Sequence, residues 1–233
     1  MRKLRLLTFG GIAAVMVILA ALWEPLQQHY HRYLVRDMFL STAENTVNVG
    51  PALNTHFPGL QALSANGNVS LLQPYAGTEG TVLVILRSIT QSVYCAEQLI
   101  QLEHSEAQFK AMGLALVALV QDDADQLATL QRHRSMQLTL LSDQQQLSVK
   151  TLGLLTNNTV QPGALIIDAE HKVVDKIFMR NPERRLDSAA LLRRALKALN
   201  GKTSRVGRHA ADSVTIAPNT ALWPEPQGTQ STR

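Results

Sequence analysis

The chain has 233 residues, 45% of them apolar and 17% charged, which suits one well-filled core with appendages. Its net charge of +4 is no argument for nucleic-acid binding, because Arg2, Lys3 and Arg5 supply three of those charges and leave +1 for everything after them. The single cysteine, Cys95, excludes any disulfide within the chain.

Leu4 to Trp23 carries one charge, at Arg5, followed by eighteen residues with none. That is close to the length needed to cross about 30 Å of hydrocarbon as a helix. The rival reading is a cleaved secretory signal, which should end in small residues two apart; Ala13, Ala14, Ala20 and Ala21 offer no such pair near the end of the run. Residues 1–24 are therefore read as an uncleaved anchor. Three basic residues before it, against Arg32 and Arg36 after it, put the amino terminus in the cytoplasm and the body in the periplasm or outside. Proteins on that oxidising side carry paired cysteines or none, so an odd one marks an intermolecular bond, a reactive thiol or a buried relic.

Residues 25–46 space Leu26, Tyr30, Tyr33, Leu34 and Met38 at helical intervals, as a juxtamembrane helix or linker would. From Val47 to Gly80, short apolar runs alternate with Gly, Pro, Asn and Ser, and Ala65–Asn68 ("ANGN") reads as a hairpin turn. "TVLVILR", Thr81–Arg87, is an apolar, β-branched run of the kind covered on both faces of a sheet. Helical periodicity follows at once: Ser92, Cys95, Leu99, Leu102 and Phe109 fall on one stripe of a helix ending near Gly113.

"LALVALV" (Leu114–Val120) is a second buried strand, and the acids after it suit a helix amino terminus. Next come "QLTLL" as a strand, Asp143–Leu152 as a short helix stopped by Gly153, "ALIID" as a strand and "HKVVDKIFM" as its hairpin partner. Asp187–Asn200 is the last helix, with Asp187 or Ser188 as cap and Gly201 as stop. Strands alternating with helices predict an α/β sandwich with parallel pairs, and the closing hairpin makes its central sheet mixed. The domain spans residues 47–200, and residues 201–233, polar and without periodicity, read as a disordered tail.

The order of elements from Leu63 to Leu199 resembles the thioredoxin-like fold of the AhpC/TSA, or peroxiredoxin-like, family. Three stretches carry the likeness: "LSANGNVSLLQPYAGTEGTVLVILRS", "LLSDQQQLSVKTLGLL" and "PGALIIDAEHKVV". The resemblance implies a three-layer sandwich, and relatives that reduce peroxides or disulfides through a thiolate at a helix start. In redox-active relatives the segment after the first buried strand reads like Arg-Ser-x-x-Trp-Cys-Pro-Tyr-Cys. Laid on that pattern, Arg87, Ser88, Tyr94 and Cys95 match, while Ser92 stands where the first cysteine belongs. A serine hydroxyl does not ionise as a thiol does without a neighbouring general base. Pro162 falls on the proline before the following strand, which is cis in that fold.

The expected protein is thus a membrane-anchored redoxin that has lost two-cysteine catalysis and acts as a binding or regulatory module around Ser92 and Pro162. The alternative is a one-thiol oxidoreductase that works through Cys95, with antioxidant or thiol-disulfide exchange activity and a protein thiol as partner. Against that alternative, Cys95 reads more readily as a buried small hydrophobe, since it shares its stripe with Leu99, Leu102 and Phe109 and lies one turn inside the helix.

His29 and His31 would sit about 200° apart on a helix and make no metal site, and the other five histidines are isolated. Asp122, Asp123 and Asp125 lack the pattern of a calcium loop and read as a helix cap. Arg180, Arg184, Arg185, Arg193, Arg194 and Lys197 give the end of the domain a basic cast; Arg193, Arg194 and Lys197 lie opposite the leucines and read as a solvated helix face, with an anionic membrane surface as the functional alternative. No Gly-rich phosphate loop occurs, so neither a nucleotide nor any other cofactor is expected.

Overall fold

The computed structural model describes residues 33–64, 69–70, 72 and 75–200, together with Trp23 and Tyr30. Residues 6–22 of the apolar run and the whole of the tail after Asn200 lie outside that set, as do His29 and His31. Among the described residues no helix is long and apolar enough to cross a membrane.

In chain order the strands are β1 (Phe39–Leu40), β2 (Ala62–Ser64), β3 (Val69–Ser70), β4 (Gly80–Ile85), β5 (Leu114–Val120), β6 (Thr139–Ser142), β7 (Leu155–Thr156), β8 (Thr159–Val160), β9 (Gly163–Asp168), β10 (Val173–Phe178) and β11 (Arg185–Leu186). The helices are α1 (Val93–Ala111), α2 (Ala124–Arg134), α3 (Leu147–Thr151) and α4 (Ser188–Asn200). Seven strands form one mixed sheet in the order β10-β9-β4-β5-β6-β2-β3. β4, β5 and β6 run parallel, while β9 pairs antiparallel with β4 and β10 with β9. The expected mixed α/β sandwich is what the chain builds.

Alternation along the buried strands divides the core in two. Val82, Val84 and Leu86, with Leu116, Ala118 and Val120, face the long helices and meet Cys95, Leu99, Leu102, Phe109, Leu127, Leu191 and Ala195. Leu83, Ile85, Val117 and Leu119 face the other way, onto Val149, Leu152, Leu154, Leu165 and Phe178. Among the described residues that second face is covered by one short helix, α3, and by chain that includes Leu60, Leu72, Leu154 and Val160. The two parallel crossovers β4-α1-β5 and β5-α2-β6 step in one direction along the sheet, so a single handedness puts both helices on one face.

Each long helix begins on a polar cap. Ser92 caps α1 and its Oγ accepts from the Cys95 amide at 3.4 Å; Asp123 does the same for α2, at 2.9 Å from the Asp125 amide. Asp187 opens α4 by accepting from the Ala190 amide at 2.6 Å. Gly113, at φ +72°, turns the chain out of α1 and into β5, where a side chain would strain the backbone.

Two expectations are revised, and one hairpin is added that the sequence did not announce. The helical spacing read as far as Met38 stops short, because Phe39–Leu40 is extended and pairs in parallel with β11. A short hairpin, β7-β8, turns at Asn157 and Asn158, both at positive φ (48° and 56°), where asparagine tolerates the left-handed region. No peptide bond among the described residues is cis, so Pro162 opens β9 through a trans bond. The flanks of the expected "ANGN" hairpin do pair, Ala62 with Ser70 and Leu63 with Val69.

Two substitutions gauge this construction in denaturant titrations. Phe109 is fully buried between α1 and the sheet, and Phe109→Ala should cost about 3–5 kcal/mol. Ser92→Ala removes the α1 cap and should cost about 1 kcal/mol.

Candidate active site around Cys95

β4 ends at Ile85, and residues 86–92 carry the chain to α1. Asp122, at the end of β5, fixes this loop. Its carboxylate, 4% exposed, accepts from the Ile89 amide (2.6 Å), the Ser88 hydroxyl (2.7 Å), the Thr90 hydroxyl (2.6 Å) and the Thr90 amide (3.4 Å). Asp122 is therefore no helix cap, as its place in an acidic run suggests, but a buried grip on the loop that feeds α1. Several hydrogen bonds to one buried carboxylate hold such a loop far better than side-chain packing alone.

Cys95 follows one turn later and has no solvent exposure. It shares its stripe with Leu99, Leu102 and Phe109, as the spacing predicts, and to that extent is the buried small residue. One polar neighbour changes its character. Arg185, on β11, points its Nη2 at the Cys95 sulfur from 3.7 Å.

Arg185 itself is 3% exposed, although it belongs to the basic run at the end of the domain. Its Nε donates to Gln98 Oε1 of α1 at 2.7 Å, and its Nη1 to the carbonyls of Pro182 and of Arg184. Among the described residues its guanidinium makes no ion pair within 4 Å with a carboxylate; the two ion pairs there are Arg36–Asp37 and Arg194–Asp175. Burial pushes its pKa down from the ordinary arginine value; the sulfur of Cys95, and less strongly the carboxylate of Glu183, act against that shift. An arginine remains charged in a protein all the same. The buried cation thus has a sulfur atom where a counter-anion would stand, at the amino end of a 19-residue helix whose dipole favours negative charge.

Arg87, Ser88, Gln91, Ser92, Val93, Tyr94, Pro182, Glu183 and Arg185 line a cleft of about 440 Å³ above this pair. Arg87 is held in its wall by an Nε bond to the Val160 carbonyl at 2.8 Å, and its charge lies near enough to Arg185 to be felt there. Burial raises the pKa of the Tyr94 phenol, and so does the carboxylate of Glu183, to which it is hydrogen-bonded.

Of the residues picked out in the sequence, Arg87, Ser92, Tyr94 and Cys95 come together here. Pro162 is buried two residues beyond Val160, the anchor of Arg87, and does not line the cleft. Arg185, Gln98 and Asp122 were missed. Gln98 falls on the apolar side of α1, one turn from Cys95, and a polar residue on that stripe is the one signal that pointed to a buried partner. Among the described residues no cluster of His, Cys, Asp and Glu could hold a metal ion.

Comparison with known proteins adds the lineage. The AhpC/TSA family matches residues 53–176, more than half of the chain. No curated protein matches significantly. Among solved structures, the reduced 2-Cys peroxiredoxin of Plasmodium vivax is 14% identical and covers 66% of this chain and 99% of its own, with a TM-score of 0.57. A peroxidoxin from Mycobacterium tuberculosis is 18% identical, covering 66% and 97%, and a thiol peroxidase from Chromobacterium violaceum is 16% identical, covering 65% and 90%; both have a TM-score of 0.52. At such identity these likenesses establish the fold alone, a thioredoxin-like peroxiredoxin sandwich. The matched span includes β4, the loop held by Asp122 and all of α1 with Cys95, and on that match this chain belongs to the AhpC/TSA family.

Proposed function

We propose that the protein is a one-thiol peroxide reductase in which Cys95 is the reacting group and Arg185 its counter-charge. The observation that carries this reading is the buried guanidinium aimed at the sulfur with no ion-paired carboxylate among the described residues. A buried cation is costly unless it meets an anion; the carboxylate of Glu183 acts on Arg185 without an ion pair within 4 Å, and a thiolate at Cys95 would be the anion in direct contact with the guanidinium. The thiolate is also the nucleophilic form of cysteine. The peroxide-reducing proteins among the structural neighbours support the choice of substrate class.

In the first step the Cys95 thiolate attacks one oxygen of a hydroperoxide. An S–O bond forms, the O–O bond breaks, and the leaving alkoxide or hydroxide takes up a proton to give an alcohol or water. Cys95 becomes a sulfenic acid and the peroxide is reduced by two electrons. No second cysteine exists in the chain, so the reductant is a thiol from another molecule. That thiol displaces water to form a mixed disulfide with Cys95, and a second thiol releases Cys95 and departs as a disulfide.

Arg185 holds the negative charge on sulfur, and Arg87 adds positive charge to the cleft wall. Ser92, in this reading, is a helix cap whose hydroxyl needs no ionisation. The sulfur lies behind the cleft floor, so turnover requires the first turn of α1 to open. Anchoring belongs to the same proposal: the charge-free run Leu6–Trp23, with basic residues ahead of it, supports a membrane-held protein with its domain on the outer side. The second reading, a docking module without turnover, is favoured by the complete burial of Cys95.

Steady-state peroxide consumption with a small-thiol reductant separates the two. The wild-type protein should turn over, and Cys95→Ser should abolish it; equal activity in that variant would overturn the proposal, and an inert but folded wild type would leave the docking module. Arg185→Ala should slow the reaction with peroxide by about tenfold to a hundredfold, the loss expected for a charge-assisted hydrogen bond, measured by stopped-flow under pseudo-first-order conditions.

A further inference from the structure

Arg185 owes its position to chain almost 150 residues away. β1 lies parallel to β11 with Phe39 opposite Arg185 and Leu40 opposite Leu186. The Arg185 amide donates to the Met38 carbonyl at 2.8 Å and the Asp187 amide to that of Leu40 at 2.9 Å, so the arginine backbone is clamped on both sides. Arg184 Nη1 donates to the carbonyl of Asp37. Further along, Arg180 N reaches Asn45 O at 2.7 Å, Thr46 bridges Met179, and Val47 N reaches Phe178 O at 2.8 Å. Residues 37–47 form a strap along residues 178–187.

Few apolar contacts fasten the strap. Met38 is 2% exposed, and Leu40 and Ala43 pack partly buried against the core. A two-residue strand pair is marginal alone, so these side chains decide whether it stays closed. The strap also borders the reacting cleft: a second cleft of about 270 Å³ is lined by Tyr33, Leu34, Asp37 and Met38 together with Tyr94 and Glu183, which line the first as well. Both the strap and Arg185 fall outside residues 53–176, the part matched to the family.

We infer that the segment 37–47 is a positioning element of the redox site, whose docking sets the Arg185 guanidinium on the Cys95 sulfur. The inference rests on the reading of Cys95 as the reacting thiol. With the strap displaced, the amides of Arg185 and Asp187 lose their acceptors, and the short stretch between Pro182 and α4 has no strand to hold it. The guanidinium then leaves its pocket and the sulfur loses its counter-charge.

The test uses the full-length protein in detergent, with Leu40→Pro to remove an amide hydrogen from the strap and Leu40→Ala to loosen its anchor while keeping the backbone. Each is made in the wild-type and the Arg185→Ala backgrounds. Two signals are read at neutral pH: the ultraviolet absorbance of the thiolate, which a single cysteine makes unambiguous, and the rate of reaction with hydrogen peroxide.

Leu40→Pro should lower that rate about tenfold in the wild-type background, Leu40→Ala should lower it less, and both should change it less than about twofold once Arg185 is gone, since a shared route is not lost twice. The thiolate absorbance should fall in parallel. Equal losses in both backgrounds, or an unchanged rate in folded variants with an active wild type, would overturn the inference and leave the Cys95 reading intact. If Leu40→Pro does not fold, Leu40→Ala decides alone by the same comparison. An inert wild type removes both.

Discussion

A guanidinium taken out of water, with no carboxylate ion-paired to it within 4 Å among the described residues, is the constraint on which the site of this domain depends. Arg185 keeps its charge, and burial makes that charge costly, so the surrounding groups must compensate for it. Gln98 and the carbonyls of Pro182 and Arg184 accept from it and satisfy its geometry, but they are neutral. The sulfur of Cys95 is the neighbour that can become an anion. The carboxylate of Glu183 is felt at Arg185 as well, but the Cys95 sulfur is the group in direct contact with the guanidinium, and that contact is the ground for proposing that this buried cysteine is more than packing.

The fold supplies the two halves of that pair from opposite ends of the domain. Cys95 arrives on α1, which leaves the centre of the sheet after β4 and is set in place by its loop. Asp122 grips that loop from the neighbouring strand, so the parallel pairing of β4 and β5 sets the starting point of the helix. Arg185 arrives after the antiparallel β9-β10 hairpin, on a short strand just ahead of α4. α4 packs with α1 on the same face of the sheet, with Ala190, Leu191 and Ala195 in one cluster with Cys95 and Leu99. The strap from residues 37–47 closes the arrangement by giving β11 a partner.

Family membership and the local geometry bear on different questions. Membership in AhpC/TSA, with peroxiredoxins as structural neighbours, explains the sheet order and the strand-to-helix entry that presents Cys95. It leaves open whether this chain keeps the chemistry. Laying the segment on a two-cysteine pattern makes Ser92 look like a lost nucleophile. Structurally Ser92 is a helix cap, for which serine is well suited, and the helix it caps holds the one thiol of the chain, beside the only buried arginine among the described residues. The one-thiol reading follows from that environment.

Much of the architecture was legible from local signals. Thr81–Arg87, Leu114–Val120 and the "ALIID" run announced buried strands because their apolar, β-branched composition suits a sheet covered on both faces; the α1 stripe and the cap at Asp187 were legible because helix period and cap chemistry are local, whereas the cap role of Ser92 came only with the structure. The site was legible only in half. Arg87, Ser92, Tyr94 and Cys95 are neighbours in sequence, whereas Arg185 and Asp122 reach them through pairings 90 and about 30 residues apart, which no spacing rule records. Arg185 did not stand out because a run of basic residues carries no mark of which one is buried. The sequence by itself determined the strands, the long helices and a lone thiol at a helix start. Only the tertiary structure decided that this thiol faces a buried guanidinium, because burial is a property of what other elements cover, and the covering strap and helix come from both ends of the domain.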